Sequence, residues 1–389
     1  MNFGFTSEQN LLRDQVRRFL NAKCPLPEVR RIAGAEPGYA PELWRQMGEL
    51  GWLGLIVPEA YGGVGLAWVD VVVVLEEMGR SLFPAPFISN TLAQWLLLEG
   101  GSEAQKRAHL PDLVSGARVA ALALLDEVDV FNADGVTLTG RVQAGGFVVD
   151  GMKRFVADAG AADVFFVAFR TGAAGEVRVA IVDRAWSGVE VTGSATLDAT
   201  KRSGSLNLTN VRIPADALLP FADFAAVARL LDRGAVAVTA ESVGAVEQAL
   251  AITSQYAKDR VQFGAQIGRY QGVKHRLAEI FVDVESVRSL VYYAAWCIDQ
   301  SPAELPRSAS LAKAYAAESF PRIGIDVVQL HGAIGYTAEY DIQLYLKRTK
   351  WLRPTFGDQD YHYDRAFALS QTAAPAPRPV SARAQGPAS

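Results

Sequence analysis

A chain of 389 residues, half of them hydrophobic, is long enough to bury more than one core and suggests two or three domains. Its 38 basic and 42 acidic residues leave a net charge of -4, which excludes the basic footprint of a nucleic-acid binder and a polybasic membrane tether. Cys24 and Cys297 alone make neither a disulfide framework nor a zinc site, and together with the lack of a basic-then-apolar leader or a bilayer-length apolar run they point to a soluble cytoplasmic protein without a metal.

In chain order, Thr6 and Gln9 have the spacing of a capping box ahead of Leu12, Val16, Phe19 and Leu20, one face of a first helix. Pro41 suits the first turn of another helix, with Leu43, Met47 and Leu50 on one stripe, and Val69 to Met78 forms a third helical run. Between them, Tyr61 to Gly65 (Y-G-G-V-G) reads as a helix connector, because its glycines lack the preceding strand that a dinucleotide fingerprint requires. Residues 1–118 are therefore expected to be a helical domain.

Near Arg118 the period changes. Val119 to Leu125, Gly135 to Gly140, Gly146 to Gly151, Asp163 to Phe169, Val177 to Asp183 and Ser205 to Ile213 are short β-branched or aromatic runs bounded by Gly, Asp and Asn. Strands at this spacing without intervening helices predict an antiparallel β-barrel or sandwich over 119–223, not a Rossmann sheet. From Phe224 the helical period returns. Val273, Leu277, Ile280, Val284, Val287, Val291, Ala294 and Ile298 recur at intervals of four and three, the seam of a bundle whose helices are expected at 225–258, 271–300, 307–330 and 340–350. The fold class is thus α+β: an N-terminal helical domain, a middle antiparallel β-barrel or sandwich, and a C-terminal four-helix bundle over 224–371. The Pro/Ala-rich stretch 372–389 cannot bury a core and is expected to be a disordered tail.

Two stretches carry possible binding chemistry. Arg260 to His275 reads R-V-Q-F-G-A-Q-I-G-R-Y-Q-G-V-K-H between two long helical segments. An Arg offers a planar fork of N–H groups for phosphate oxygens and the next helix start offers free backbone N–H groups, although an Arg before a glycine is also a common helix end. Gln329 to Tyr336 reads Q-L-H-G-A-I-G-Y, and Glu339 to Arg348 continues as E-Y-D-I-Q-L-Y-L-K-R.

With the helix, β, helix order, these motifs resemble the acyl-CoA dehydrogenase family over almost the whole chain, to about Leu369. The resemblance implies FAD lying between the β domain and the bundle, with Arg260, Gln262, Phe263 and Gln271 contacting the pyrophosphate and adenosine part of a neighbouring subunit's FAD. It gives Gln329, Gly332, Ala333 and Gly335 a similar contact from another chain; Ala333 replaces the second glycine usual in the family. It also implies an acyl-CoA substrate, α,β-dehydrogenation by α-proton abstraction and hydride transfer to flavin N5, an electron-transfer flavoprotein as acceptor, and a homotetramer or a heterotetramer with a related subunit.

The base such a reaction needs is a desolvated carboxylate at the α-carbon. Phe356 stands where many family members have that Glu, and Gly234 stands at the family's alternative position on the first bundle helix. Glu241, two turns beyond Gly234 on the same side and flanked by apolar residues, is the candidate catalytic base; the competing reading is a buried partner for Arg276 or Arg288 on the next helix. Asp232 and Arg233 match a pair near the acyl-CoA and are expected substrate contacts, while Asp358 reads as a turn residue. Leu124 to Asp129 replaces the family's Thr-Glu-Pro and Gly-Ser-Asp, and Phe155 and Val156 stand where an aromatic and a small hydroxyl residue often face the flavin. Three functions follow: an active dehydrogenase using Glu241, a non-catalytic or half-site subunit of a heteromeric dehydrogenase, or a relative with other flavin oxidation chemistry.

Overall fold

The computed structural model describes residues 5–124, 126, 130–171, 175–221 and 223–372. The expected tail lies outside these from residue 373 on, as do residues 125 and 127–129 of the Leu124 to Asp129 segment.

Six helices come first: α1 (Ser7–Lys23), α2 (Leu26–Ala33), α3 (Pro41–Glu49), α4 (Trp68–Arg80), α5 (Phe87–Gly100) and α6 (Glu103–Ser115). The capping box forms as expected, Thr6 Oγ1 accepting from the Gln9 N–H at 3.2 Å and Gln9 Oε1 from the Thr6 N–H at 3.1 Å. On α3 the stripe is shorter than expected: Met47 is buried, but Leu50 caps the helix and is 52% exposed.

Seven strands follow, β1 (Ala120–Ala123), β2 (Thr139–Gln143), β3 (Gly146–Ala157), β4 (Val164–Thr171), β5 (Val177–Asp183), β6 (Val189–Ser194) and β7 (Ser203–Pro214). They form one sheet in the order β1-β4-β2-β3-β7-β6, with β5 also on β4. The all-antiparallel expectation is corrected at β4, which runs parallel to both β1 and β2. The β2–β3 hairpin lies in the chain between β1 and β4 and supplies the long crossover that parallel pairing needs. Phe165, Val167 and Phe169 of β4 pack with Leu206, Leu208 and Val211 of β7 in the core this sheet encloses.

The bundle consists of α7 (Ala225–Asp259), α8 (Gln271–Gln300), α9 (Leu305–His331) and α10 (Ile342–Leu352), with α11 (Gln359–Thr372) against α9. Ile280, Val284, Val287, Val291, Ala294 and Ile298 of the expected seam are buried. By length and composition α7 is apolar enough to cross a membrane, which corrects the expectation that no run is; most of that window is buried inside the protein, so α7 is a core helix. Backbone-to-backbone packing fixes α7 against α4. A Cβ on Gly79 would meet the Glu241 carbonyl oxygen at 1.7 Å, and one on Gly244 would meet that of Glu76 at 1.8 Å. Between α7 and α8 the chain makes a small hairpin, β8 (Val261–Gln262) and β9 (Ala265–Gln266).

Candidate functional site

The two positions at which a base was sought lie against each other. A Cβ on Gly234 would meet the Phe356 ring at 2.4 Å, so the phenyl group fills the space beside α7 that a longer side chain at 234 would need. Phe356 and Gly357 both have left-handed backbone, φ 59° and 98°, a conformation costly for a residue with a Cβ. The turn is held from beneath. Lys313 of α9, fully buried, donates to the Gly357 carbonyl at 2.6 Å and to that of Arg353 at 3.1 Å, while His362 Nε2 bonds the Phe356 carbonyl at 2.8 Å. Burial depresses both bases, Lys313 to about 7 and His362 to about 3.

The expected substrate contacts flank Gly234 but are engaged inside the protein. Asp232 is buried and accepts from Arg365 of α11; burial raises its pKa, with Arg365 opposing. The Arg233 guanidinium lies 4.0 Å over the Trp95 ring and donates to the Arg229 carbonyl at 2.9 Å, and burial lowers its pKa to about 10.

Glu241 is not a solitary acid. It is buried, and its Oε1 is 2.8 Å from Arg348 Nη1 of α10 and 2.7 Å from Lys201 Nζ. The Arg348 guanidinium also donates to Asp198 at 2.7 Å and to Thr200 Oγ1 at 2.6 Å. The partners expected for Glu241 bind elsewhere: Arg288 to Glu247 at 3.1 Å, Arg276 to Glu279 at 3.1 Å and Asp326 at 3.6 Å. The reason is register, since α7 turns Glu241 toward α10 and the β domain while α8 runs along another side. A further acid joins this junction. Ser89 Oγ of α5 donates to Asp158 Oδ2 at 2.5 Å, and burial raises Asp158 to about 6 against the opposing charge of Lys201. The cluster thus ties all three domains. Sequence reasoning missed Arg348, although it falls on the buried stripe of Ile342, Tyr345, Thr349 and Leu352, and a charge on an apolar helix face is the signal that marks it.

On the β domain, Lys153 is fully buried with Nζ 2.5 Å from Asp126 Oδ1 and 3.2 Å from the Leu124 carbonyl, and burial lowers it to about 8. Phe155 is exposed with left-handed backbone, φ 55°, whereas Val156 is buried in the sheet's core, and the register of β3 on β7 shifts between Lys153 and Val156.

The remaining expected residues form an open rim. Arg260 caps α7, and Gln262 and Phe263 occupy the β8–β9 hairpin, whose tip carries Phe263 at 95% exposure beside Gly264, φ 75°. Gln271 starts α8, exposed. Gln329 lies exposed on the last turn of α9, and Gly332 and Ala333 follow it, exposed, while Gly335 is buried. Gly332 has φ 65° and ψ -145°, which glycine alone adopts readily, and a Cβ there would meet nothing.

Family models describe the same chain. Residues 6–117 match the acyl-CoA dehydrogenase N-terminal domain and residues 224–366 the acyl-CoA dehydrogenase C-terminal domain. Acyl-CoA dehydrogenase IpdE2 of Mycolicibacterium smegmatis is 33% identical over 344 residues, 88% of this chain and 92% of that one. The chain belongs to the acyl-CoA dehydrogenase family. Its fold superimposes on butyryl-CoA dehydrogenase from Megasphaera elsdenii with a TM-score of 0.88 at 25% identity, covering 95% of this chain and 100% of that one. It is equally close to a chain of the ChsE4-ChsE5 complex from Mycobacterium tuberculosis, with a TM-score of 0.88 at 27% identity, covering 96% and 100%.

Acyl-CoA dehydrogenases use FAD, and the rim fits part of that group. Among the described residues no hydrogen bond or ion pair occupies the exposed Arg260 guanidinium, and the open glycine backbone at 332 leaves room for a dinucleotide to approach closely. All these groups except Gly335 are exposed.

Proposed function

We propose that this acyl-CoA dehydrogenase is a half-site subunit of a heteromeric, FAD-dependent enzyme that desaturates an acyl-CoA thioester, with a sibling subunit supplying the carboxylate that removes the α-proton. The observation that carries this reading is the Phe356 ring filling the space at Gly234, which leaves neither base position with an acid. Glu241 does not substitute. Its carboxylate is shared by Arg348 and Lys201, so taking a proton there would break two buried ion pairs, and we assign it to the junction that holds the domains together. Asp232 and Arg233 shape the wall beside Gly234 from inside, paired with Arg365 and Trp95.

When bound, FAD supplies the hydride acceptor, passing electrons on to an electron-transfer flavoprotein. This chain's part is to bind and orient. Arg260, Gln262, Phe263 and Gln271 would hold the pyrophosphate and adenosine part of a neighbouring subunit's cofactor, and Gln329, Gly332, Ala333 and Gly335 would add a second contact to it. The solved ChsE4-ChsE5 complex supports a two-chain assembly, because it pairs unlike subunits and one of them has this fold.

Co-expression tests the reading. The chain purified alone is expected to show no acyl-CoA turnover with a dye acceptor; with a sibling bearing Glu at the position of Phe356 or Gly234, the pair should co-purify, turn yellow and oxidise acyl-CoA. Turnover by this chain alone would overturn it, and Glu241→Gln in that active chain would then show whether Glu241 is the base.

A further inference from the structure

The two outward-facing segments are far apart in sequence, yet one side chain touches the root of both. Tyr256 sits on the last turn of α7. Its carbonyl accepts from the Arg260 N–H at 2.8 Å, the bond that ends α7 and starts the hairpin. Its phenol O–H donates to the His331 carbonyl at 3.2 Å, on the last residue of α9 before the left-handed turn at Gly332. The ring is wedged as well. It lies 4.4 Å from the His331 imidazole, tilted by 33°, and Tyr340 packs against both rings, 5.1 Å from the imidazole and 6.5 Å from Tyr256. His331 Nδ1 is bonded to the Val327 carbonyl at 2.7 Å, so the imidazole carries its proton there and cannot rotate without losing the bond. Burial lowers the His331 pKa, with the hydrogen bond to Val327 opposing.

We propose that Tyr256 is a positioning residue that sets the spacing between the Arg260 hairpin and the Gly332 turn, so that both engage a single FAD. The argument rests on the reading above that these segments contact FAD. It adds that the contact is cooperative: the hairpin and the turn belong to separate elements, and Tyr256 bonds to the root of each. Fixing one against the other removes the ordering cost that a cofactor bridging them would have to meet.

The test is Tyr256→Phe in the assembled full-length protein, with FAD affinity followed by the quenching of flavin fluorescence. Loss of one neutral hydrogen bond at the root of the turn should weaken FAD binding about fivefold. Arg260→Ala removes a charged donor and should weaken it at least tenfold. The double variant is expected to fall short of the product of the two, because spacing matters only while Arg260 is there to use it. Tyr340→Phe, which keeps its ring against His331 and does not touch the His331 carbonyl, should bind FAD as the unaltered protein does.

The outcomes separate cleanly. If Arg260→Ala weakens FAD and Tyr256→Phe does not, the positioning role is overturned while the cofactor reading stands. If Arg260→Ala has no effect, the cofactor reading fails first. A Tyr256→Phe protein whose flavin-free melting temperature drops in step with its FAD affinity, or strictly multiplicative effects in the double variant, would reduce Tyr256 to general packing and also overturn the proposal.

Discussion

Helix α7 has opposite surroundings along its first half and at its C-terminal end. Around Gly234 everything is closed: a phenyl ring fills the gap, Asp232 and Arg233 are paired inward, and Glu241 is clasped by two cations. Around Arg260 everything is open, with an exposed guanidinium, a hairpin tip bearing an exposed Phe263 and a glycine turn with empty space above it. The reachable polar groups are concentrated around Arg260.

The contrast breaks most readily at the buried junction. Arg348→Ala leaves Asp198 without its cation and Glu241 with Lys201 alone, and should cost about 3–5 kcal/mol in urea unfolding; a loss below about 1 kcal/mol would mean the cluster is hydrated. Next comes the closed end. Gly234→Ala should destabilise by about 1–3 kcal/mol through overpacking against Phe356, and Phe356→Ala in the same chain should recover most of it. If the two substitutions are additive, the ring does not seal that site.

A pH effect belongs to the same turn. Lys313 falls from its ordinary 10.5 to about 7 when buried, so between those values the unfolded chain binds more protons than the folded one and stability rises with pH. Lys313→Met should flatten that part of the stability profile relative to the unaltered protein, and an unchanged slope would show that the amine is hydrated. The smallest effect on folding is at the open end. Phe263→Ala should leave stability within about 0.5 kcal/mol while reducing FAD retention, since its ring is almost fully exposed. Equal losses in both would erase the distinction between the two ends.

Much of this architecture is legible in the chain because it is written locally. The capping box at Thr6, the seam from Ile280 to Ile298 and the punctuated strands all depend on neighbours a few residues away, and the two cofactor motifs are contiguous. What was not legible depends on partners far along the chain. Nothing near Glu241 announces Arg348 or Lys201, and no local pattern shows that Phe356 will close over Gly234. The edge strand β6, Val189 to Ser194, escaped notice because it is mostly exposed and contains a glycine, so its alternation is weak. Parallel pairing at β4 is likewise a matter of crossover, which strand composition does not encode.

The glycine contacts between α4 and α7 have one more consequence. Gly79 faces the backbone of Glu241, and Gly244 faces that of Glu76, so each helix presents its notch to the other's main chain at two successive turns. Sliding either helix by a turn would drive side chains into carbonyl oxygens, which rules out shear between the N-terminal helices and the bundle. The N-terminal helices and the bundle therefore form a single block, to which the β-sheet unit is tied through Lys201 and Asp198.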